Sequence, residues 1–285
     1  MALDLHIHST FSDGTMSPAE VVELAWRKRL TAIALTDHDT IDGFIPARQA
    51  AAGLPLEVIA GLEFSVLHQG ISMHILGYLM DIGHPDLNRM LVNLQKGREE
   101  RNAKILDRLR ALGISIEEDE LRQVSATGQT GRPHIARLLL AKGAVATMLQ
   151  AFDKYLGRGG LAYASRPVTT AEDAIAVLRA AGGLCILAHP QQMDPDLKQL
   201  PALLDVLVPM GLDGLEAYYP THSSRTRRKI IAAAEHYGLV LTGGSDFHGD
   251  IRPGTTIAGG RNVHVPEELL RIMKDRAAAR PPQQA

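Results

Sequence analysis

Cysteine is all but absent. Cys185 is the single thiol in 285 residues, so no internal disulfide can form. That fits a reducing compartment. Cys185 lies in the apolar run 184–188 and reads as a buried strand residue, not a nucleophile. Net charge is nearly absent too. A formal −2 exerts no global pull toward nucleic acid or membrane, no DNA-binding surface is evident, and any anion must be bound by local basic clusters. No stretch approaches the ~20 apolar residues that span a bilayer. Asp4 and His6 interrupt the apolar residues of the N-terminus, which argues against a signal peptide there. A soluble, cytoplasmic chain without a membrane partner is expected. No internal repeat is visible, and nothing in the sequence sets the oligomeric state. What the chain does have is 45% hydrophobic residues, enough for a sizeable core. Its length suits a barrel carrying an insertion better than one ordinary domain.

Strand-like and helix-like segments alternate at first. Residues 3–7 read as a strand. Ser17-Pro18-Ala19-Glu20 is a capping box with proline at the first helical position, starting a helix to about residue 29. Residues 32–36 form the next strand, followed by helix to about 52 and strand at 58–61. Residues 64–68 and 73–79 flank Gln69-Gly70 as a hairpin. From Pro85 to about Tyr155 the pattern is helical. Leu87, Leu91, Leu94, Ile105, Leu109 and Leu112 recur at helical spacing, Gly113 is a stop, and further helices are expected at 133–142 and 145–155. Alternation then resumes, with a helix at 171–181 capped by Thr170 and strands at 184–188, 214–217 and 240–242. Such βα alternation favours a parallel sheet closed or nearly closed into a barrel. The expected organisation is a discontinuous barrel over 1–84 and 165–276, a helical insert over 85–164, and a disordered tail over 277–285.

Ligand-type residues gather at the C-terminal ends of the expected strands. His6 and His8 alternate on the first strand and share a face, with Asp13 in the loop beyond. Asp37, His38 and Asp39 follow the second strand and Glu63 the third. His74 lies in the hairpin. His189 and Glu216 end later strands, and Asp246 and His248 follow the last. In a barrel these ends converge on one mouth. Each residue alone has an ordinary structural explanation: Asp39 is best read as a helix cap, and Glu216 as a carboxylate behind the ligands. The set does not, because the remaining histidines at 68, 84, 236 and 264 are scattered while these fall at strand ends. Mixed imidazole and carboxylate donors suit zinc, manganese or iron, and their number exceeds what one ion needs. A multinuclear site can activate a water and hold both oxygens of an in-line displacement.

Asp4-Leu5-His6-Ile7-His8-Ser9 with Ser12-Asp13-Gly14 resembles the first motif of PHP (polymerase and histidinol phosphatase) domains. Thr36-Asp37-His38-Asp39 resembles the second, and Gly61-Leu62-Glu63 with His74, Ala188-His189-Pro190 and Gly244-Ser245-Asp246-Phe247-His248 follow in order. The resemblance spans nearly the whole chain except the helical block. It implies an α/β fold, a distorted barrel of seven strands with an all-helical insertion. It also implies a grouping of ligands: His6, His8, Glu63 and Asp246 on one ion, Glu63 bridging to a second held by His74 and His189, and Asp13, His38 and His248 on a third. Many family members carry histidine where Asp13 stands, which makes this third site harder. The expected cofactors are two or three divalent ions, manganese first, with Zn2+, Fe2+ or Mg2+ as alternatives.

The insert bears on the substrate. Arg98 and Arg101, three apart, share a helix face, and Arg132 with His134 opens another helix in Gly131-Arg132-Pro133-His134, a ready anion site. A solvated helix face explains Arg98 and Arg101 equally well. Tyr218, His222 and Ser223 form a further polar cluster, although Ser223 can equally be a cap. These features resemble the stand-alone PHP members that remove the 3′-phosphate from nucleoside 3′,5′-bisphosphates, relatives of which trim short RNA from the 5′ end as exoribonucleases. The resulting expectation is a metal-dependent phosphoric monoester hydrolase. A metal-bound hydroxide would be the nucleophile, Arg98, Arg101, Arg132, His134, Tyr218 and Ser223 would contact the substrate, and His222 would be the acid. The rivals are a histidinol-phosphate phosphatase, a proofreading-type exonuclease, a C–N hydrolase and a non-catalytic, metal-bound nucleotide sensor.

Overall fold

The computed structural model describes residues 2–125, 129–166, 168–252, 254–259 and 263–280. Its strands are β1 (Ala2–Ile7), β2 (Leu30–Leu35), β3 (Glu57–His68), β4 (Ile71–Tyr78), β5 (Thr169–Thr170), β6 (Leu184–Leu187), β7 (Gly214–Tyr218) and β8 (Val240–Gly243). The helices are α1 (Pro18–Arg27), α2 (Phe44–Ala50), α3 (Pro85–Ala111), α4 (Glu118–Gln123), α5 (Arg132–Ala141), α6 (Met148–Ala151), α7 (Ala171–Ala180), α8 (Leu200–Met210), α9 (Ser224–Tyr237) and α10 (Glu267–Ala278).

The sheet runs β1-β2-β3-β4-β6-β7-β8, with β5 paired to β3. Within that path the pairs are parallel except where β4 meets β3 and β6. Ile7 bridges Phe247, and the His8 amide donates to the Phe247 carbonyl at 2.9 Å, bringing the last strand's loop back to the first. This is the distorted seven-strand barrel. Its distortion is the β3–β4 hairpin, which turns on Gln69-Gly70, both at positive φ as a two-residue hairpin turn requires. Residues 58–61 and 64–68, expected as two strands, are one twelve-residue strand.

The capping box at Ser17 and Glu20 and the Thr170 cap both form. The helix expected at 145–155 begins only after Thr147 and finishes as a π-helical turn over Phe152–Leu156. The tail differs from expectation. Helix α10 continues to Ala278, and Arg280 pairs with Asp213 and the Gly183 carbonyl, so chain order extends past residue 277. Residues 281–285 lie outside the described residues. No described helix is long and apolar enough to cross a membrane.

Apolar clusters hold the strands to α7, α8 and α9, to α10, and to α1 and α2. Another belongs to the insert. Helix α3 takes part in two of them. Leu87, Leu91 and Leu94 pack with the barrel, and Ile105, Leu106 and Leu109 pack with the insert. Over its 27 residues, about 40 Å at 1.5 Å per residue, it carries Arg98 and Arg101 at the changeover.

Candidate metal centre and anion cleft

The strand ends deliver the expected residues to one point. His6 and His8 project from β1 and its end, both fully buried. The loop after them is pinned by Asp37, which accepts from the Ser9 amide and hydroxyl, each at 2.7 Å, and from the Ser12 hydroxyl at 2.6 Å. Asp37 is therefore the anchor that aims Asp13. The loop after β8 lies so close to β1 that a Cβ on Gly244 would come within 2.3 Å of the His6 Cβ, so only glycine fits there. Asp39, His189 and Asp246 sit in the left-handed region, at φ 55, 24 and 51. Non-glycine residues there carry strain, which concentrates at functional sites.

Glu63 is the hub. Its Oε2 lies 3.5, 3.2 and 3.0 Å from His6 Nε2, His8 Nε2 and His38 Nδ1. Its Oε1 lies 2.8 Å from His74 Nδ1 and 3.0 Å from His189 Nε2. Asp246 Oδ1 is 3.5 Å from His6 Nε2 and 3.2 Å from His8 Nε2. Asp13 Oδ1 is 3.3 Å from His248 Nε2, and its Oδ2 is 3.9 Å from His38 Nε2.

These atoms fit metal ions on their own chemistry. His6 Nε2, His8 Nε2, His38 Nδ1, Glu63 Oε2 and His248 Nε2 are buried without a hydrogen-bond partner. Such orphaned groups cost about 1–3 kcal/mol each. His248 shows why a cation resolves this. Its Nδ1 lies 2.8 Å from the Asp246 carbonyl, which can only accept, so Nδ1 donates. A neutral ring then presents a bare Nε2 lone pair to the Asp13 carboxylate, and a cation between them turns repulsion into attraction. Ligand atoms within 4.8 Å of one another form four overlapping groups: His6, His8 and Asp246; His6, Glu63 and His189; His38, Glu63 and His74; and His8, Asp13, His38 and His248. Burial opposes charge throughout, yet neighbouring histidines hold Glu63, Asp13 and Asp246 well below the usual carboxylate range.

Residues behind the ligands fix their orientation. Glu216 spans two of them, meeting His6 Nδ1 at 2.9 Å and the His189 amide at 2.8 Å. Tyr219 donates its hydroxyl to Asp246 Oδ2 at 2.7 Å, accepts from Gln192 at 2.6 Å, and lays its ring 5.3 Å from that of His189. Arg252 pairs with the same Oδ2, leaving Oδ1 turned to the histidines.

A cleft of 720 Å³ opens between this centre and the insert. Asp13, His38 and His74 line one side, and Arg98, Arg101, Arg132, Arg158 and Arg166 approach from the other. One carboxylate serves the arginines. Asp39 is fully buried and pairs with Arg98 at 3.1 Å and Arg166 at 2.8 Å, and its other oxygen accepts from the Ser65 amide at 3.1 Å. The cap expected of Asp39 is thus not made. Helix α2 begins at Gly43 without a side-chain cap. Burial and the like charges of Arg98, Arg166 and Arg132 push the Arg101 pKa down to about 8. Arg101 Nε and Arg166 Nη1 have no partner.

The remaining expectations divide. Arg98, Arg101 and Arg132 line the cleft. His134 stands beside Asp13 in a smaller adjoining cavity, its Nδ1 accepting from the Gly131 amide at 3.1 Å and its pKa lowered by burial to about 4. Tyr218 lies elsewhere. It packs into the apolar clusters with the Arg227 guanidinium 5.4 Å from its ring centre, and its neighbour Tyr219 reaches the metal centre. Ser223 caps α9, accepting from the Thr226 amide at 3.0 Å. His222 is buried outside the cleft lining, bonded through Nδ1 to the Ala217 carbonyl at 3.0 Å, and burial lowers its pKa. Arg158, Arg166, Tyr219 and Arg252 escaped sequence reasoning. Only Arg158, bracketed by glycines, carried a local signal.

A histidine–carboxylate centre with an arginine cleft at a barrel mouth defines a metal-dependent phosphoesterase. The PHP domain family matches residues 4–159, and the chain belongs to it. It is 34% identical over 269 residues to a 5′-3′ exoribonuclease of Haemophilus influenzae, covering 94% of this chain and 97% of that protein. It is 34% identical over 273 residues to a 3′,5′-nucleoside bisphosphate phosphatase of Chromobacterium violaceum, covering 95% and 94%. A solved structure from Bifidobacterium adolescentis, described as a candidate metal-dependent phosphoesterase, superposes with a TM-score of 0.87 at 30% identity over 96% of both chains.

Proposed function

We propose that this phosphoesterase removes the 3′-phosphate from nucleoside 3′,5′-bisphosphates and works in the same sense on short RNA from its 5′ end. The observation that carries the reading is the cleft, in which five arginines and one compensating carboxylate stand beside the Asp13, His38 and His74 edge of the centre. One phosphate belongs at the histidine–carboxylate cluster and a second anion among the guanidiniums. The names of the two curated relatives support this, since both substrates offer phosphates on the two sides of one ribose.

Two or three divalent ions, manganese first, would be held by His6, His8, Asp246 and Glu63, by Glu63 with His74 and His189, and by Asp13, His38 and His248. Bound ions supply Lewis acidity at the phosphoryl oxygens and lower the pKa of water. The chain supplies position. Asp39 fixes Arg98 and Arg166, while Arg101 and Arg132 carry the uncompensated charge that holds the distal phosphate, so the reacting ester is oriented before chemistry. The leaving ribose oxygen takes its proton from solvent, because His222 lies outside the cleft. The buried single cysteine supports a cytoplasmic setting.

A histidinol-phosphate phosphatase is the second reading, but it leaves the arginines without a ligand. The test is phosphate release by the manganese-purified protein from an adenosine 3′,5′-bisphosphate, an adenosine 3′-monophosphate and histidinol phosphate. The bisphosphate should be best. Histidinol phosphate as the best substrate, or no gain from the 5′-phosphate, overturns the reading.

A further inference from the structure

A second pocket shares Arg98 with the main cleft. It measures 240 Å³ and is lined by Phe11, Asp42, Gln95, Arg98, Glu99, Gln129 and Thr130. A small space of 10 Å³ shares Arg98, Gln129 and Thr130 with it and is also lined by Asp13 and His38, so the pocket neighbours the metal centre.

Phe11 gives the pocket its character. The ring is half-buried, yet it belongs to none of the four apolar clusters formed by the described residues. A ring held outside the packed core offers a face to a stacking partner. It is also rigidly mounted. The Phe11 amide donates to Ser9 Oγ at 3.1 Å, and Ser9 is itself fixed on Asp37. Around the ring stand amides and a hydroxyl, which read hydrogen-bonding edges. Gln129 Nε2 donates to the His38 carbonyl at 3.1 Å, which sets that amide plane and leaves its oxygen to accept. Thr130 is set by Asn102, whose Nδ2 donates to the Thr130 hydroxyl at 3.0 Å. The guanidinium of Arg98 adds a flat cation that stacks on π faces as readily as it pairs with anions.

We propose that this pocket receives a nucleobase stacked on Phe11, with its edge on the amides of Gln95 and Gln129. The proposal rests on the nucleotide reading above and adds a recognition element to it. The base has two sources, the nucleoside that loses its phosphate or the following nucleotide of an RNA.

Three substrates separate these cases: adenosine 3′,5′-bisphosphate, the abasic ribose 3,5-bisphosphate, and a 5′-phosphorylated diadenylate. Each is assayed with the wild-type protein, Phe11→Ala and Phe11→Tyr. A lost stack raises KM for a base-bearing substrate roughly tenfold or more, with kcat little changed. The abasic compound, which has nothing to stack, serves as the control for folding, and Phe11→Tyr should restore KM. Loss on the bisphosphate and the diadenylate assigns the pocket to the first base, and loss on the diadenylate alone assigns it to the second. Unchanged KM for both, or an equal loss on the abasic compound, overturns the proposal. A wild-type protein that turns over none of the three overturns the nucleotide reading itself, and the pocket with it.

Discussion

Arg101→Ala should split activity from stability. In the folded chain Arg101 is 6% exposed and crowded by Arg98, Arg132 and Arg166. Its Nη2 meets only Asn102 Oδ1, at 3.1 Å, and its Nε has no partner. Without an anion its charge is a liability, so its removal should raise the melting temperature or leave it unchanged. With a bisphosphate bound, the same charge faces the distal phosphate. A charge-assisted contact of this kind contributes about 1.5–3 kcal/mol, or roughly tenfold to a hundredfold in kcat/KM. The assay compares kcat/KM for a nucleoside 3′,5′-bisphosphate and the matching 3′-monophosphate, alongside thermal unfolding without ligand. The bisphosphate should lose that factor while the monophosphate loses little. Equal losses on both substrates would refute the clamp, and a sharp fall in melting temperature would refute the claim that like charges are crowded there.

Other residues give equally direct tests. Elemental analysis of protein purified with manganese should find at least two ions per chain, and Glu63→Gln should lose metal and most activity, because a neutral amide cannot serve the two oxygens' histidine sets; one ion or none in the wild type counts against a multinuclear centre. Tyr219→Phe, which frees Asp246 Oδ2 from a 2.7 Å hydrogen bond, should weaken metal binding about 10–100-fold by competition titration and recover activity at high metal; unchanged affinity would leave Tyr219 a packing residue. Burial pushes the Cys185 thiol far up, so it should resist thiol reagents in the native state at pH 8 and react on unfolding; rapid native labelling would contradict its placement.

The metal centre was legible in sequence because its signals are local. Two-residue alternation puts His6 and His8 on one face, and strand-end positions bring the rest together. The arginine network was only half legible. Asp39 looked like a cap because its partners stand 59 and 127 positions away, at Arg98 and Arg166, and no local pattern links them. Tyr219 is not legible beside Tyr218, because the sequence does not say where β7 ends, and one position there exchanges the packed face for the metal centre. The hairpin turn was visible in Gln69-Gly70. That β3 runs unbroken through Gly61-Leu62-Glu63 was not, since its pairing with β4 lies outside any local window.

Helix α3 is anchored twice, by leucines in the barrel and by a second apolar set in the insert, with Arg98 and Arg101 at the changeover. The guanidiniums therefore cannot drift relative to the histidines without breaking one of two cores. The helix acts as a ruler. On the proposed reading it sets the gap between two bound negative charges, so that a molecule is admitted or refused by how far apart its own charges lie. Lengthening α3 by one residue between Leu94 and Arg98 would rotate the arginines by about 100° and advance them about 1.5 Å relative to the barrel, at the cost of turning the insert's packing face with them, while every ligand of the centre stays in place.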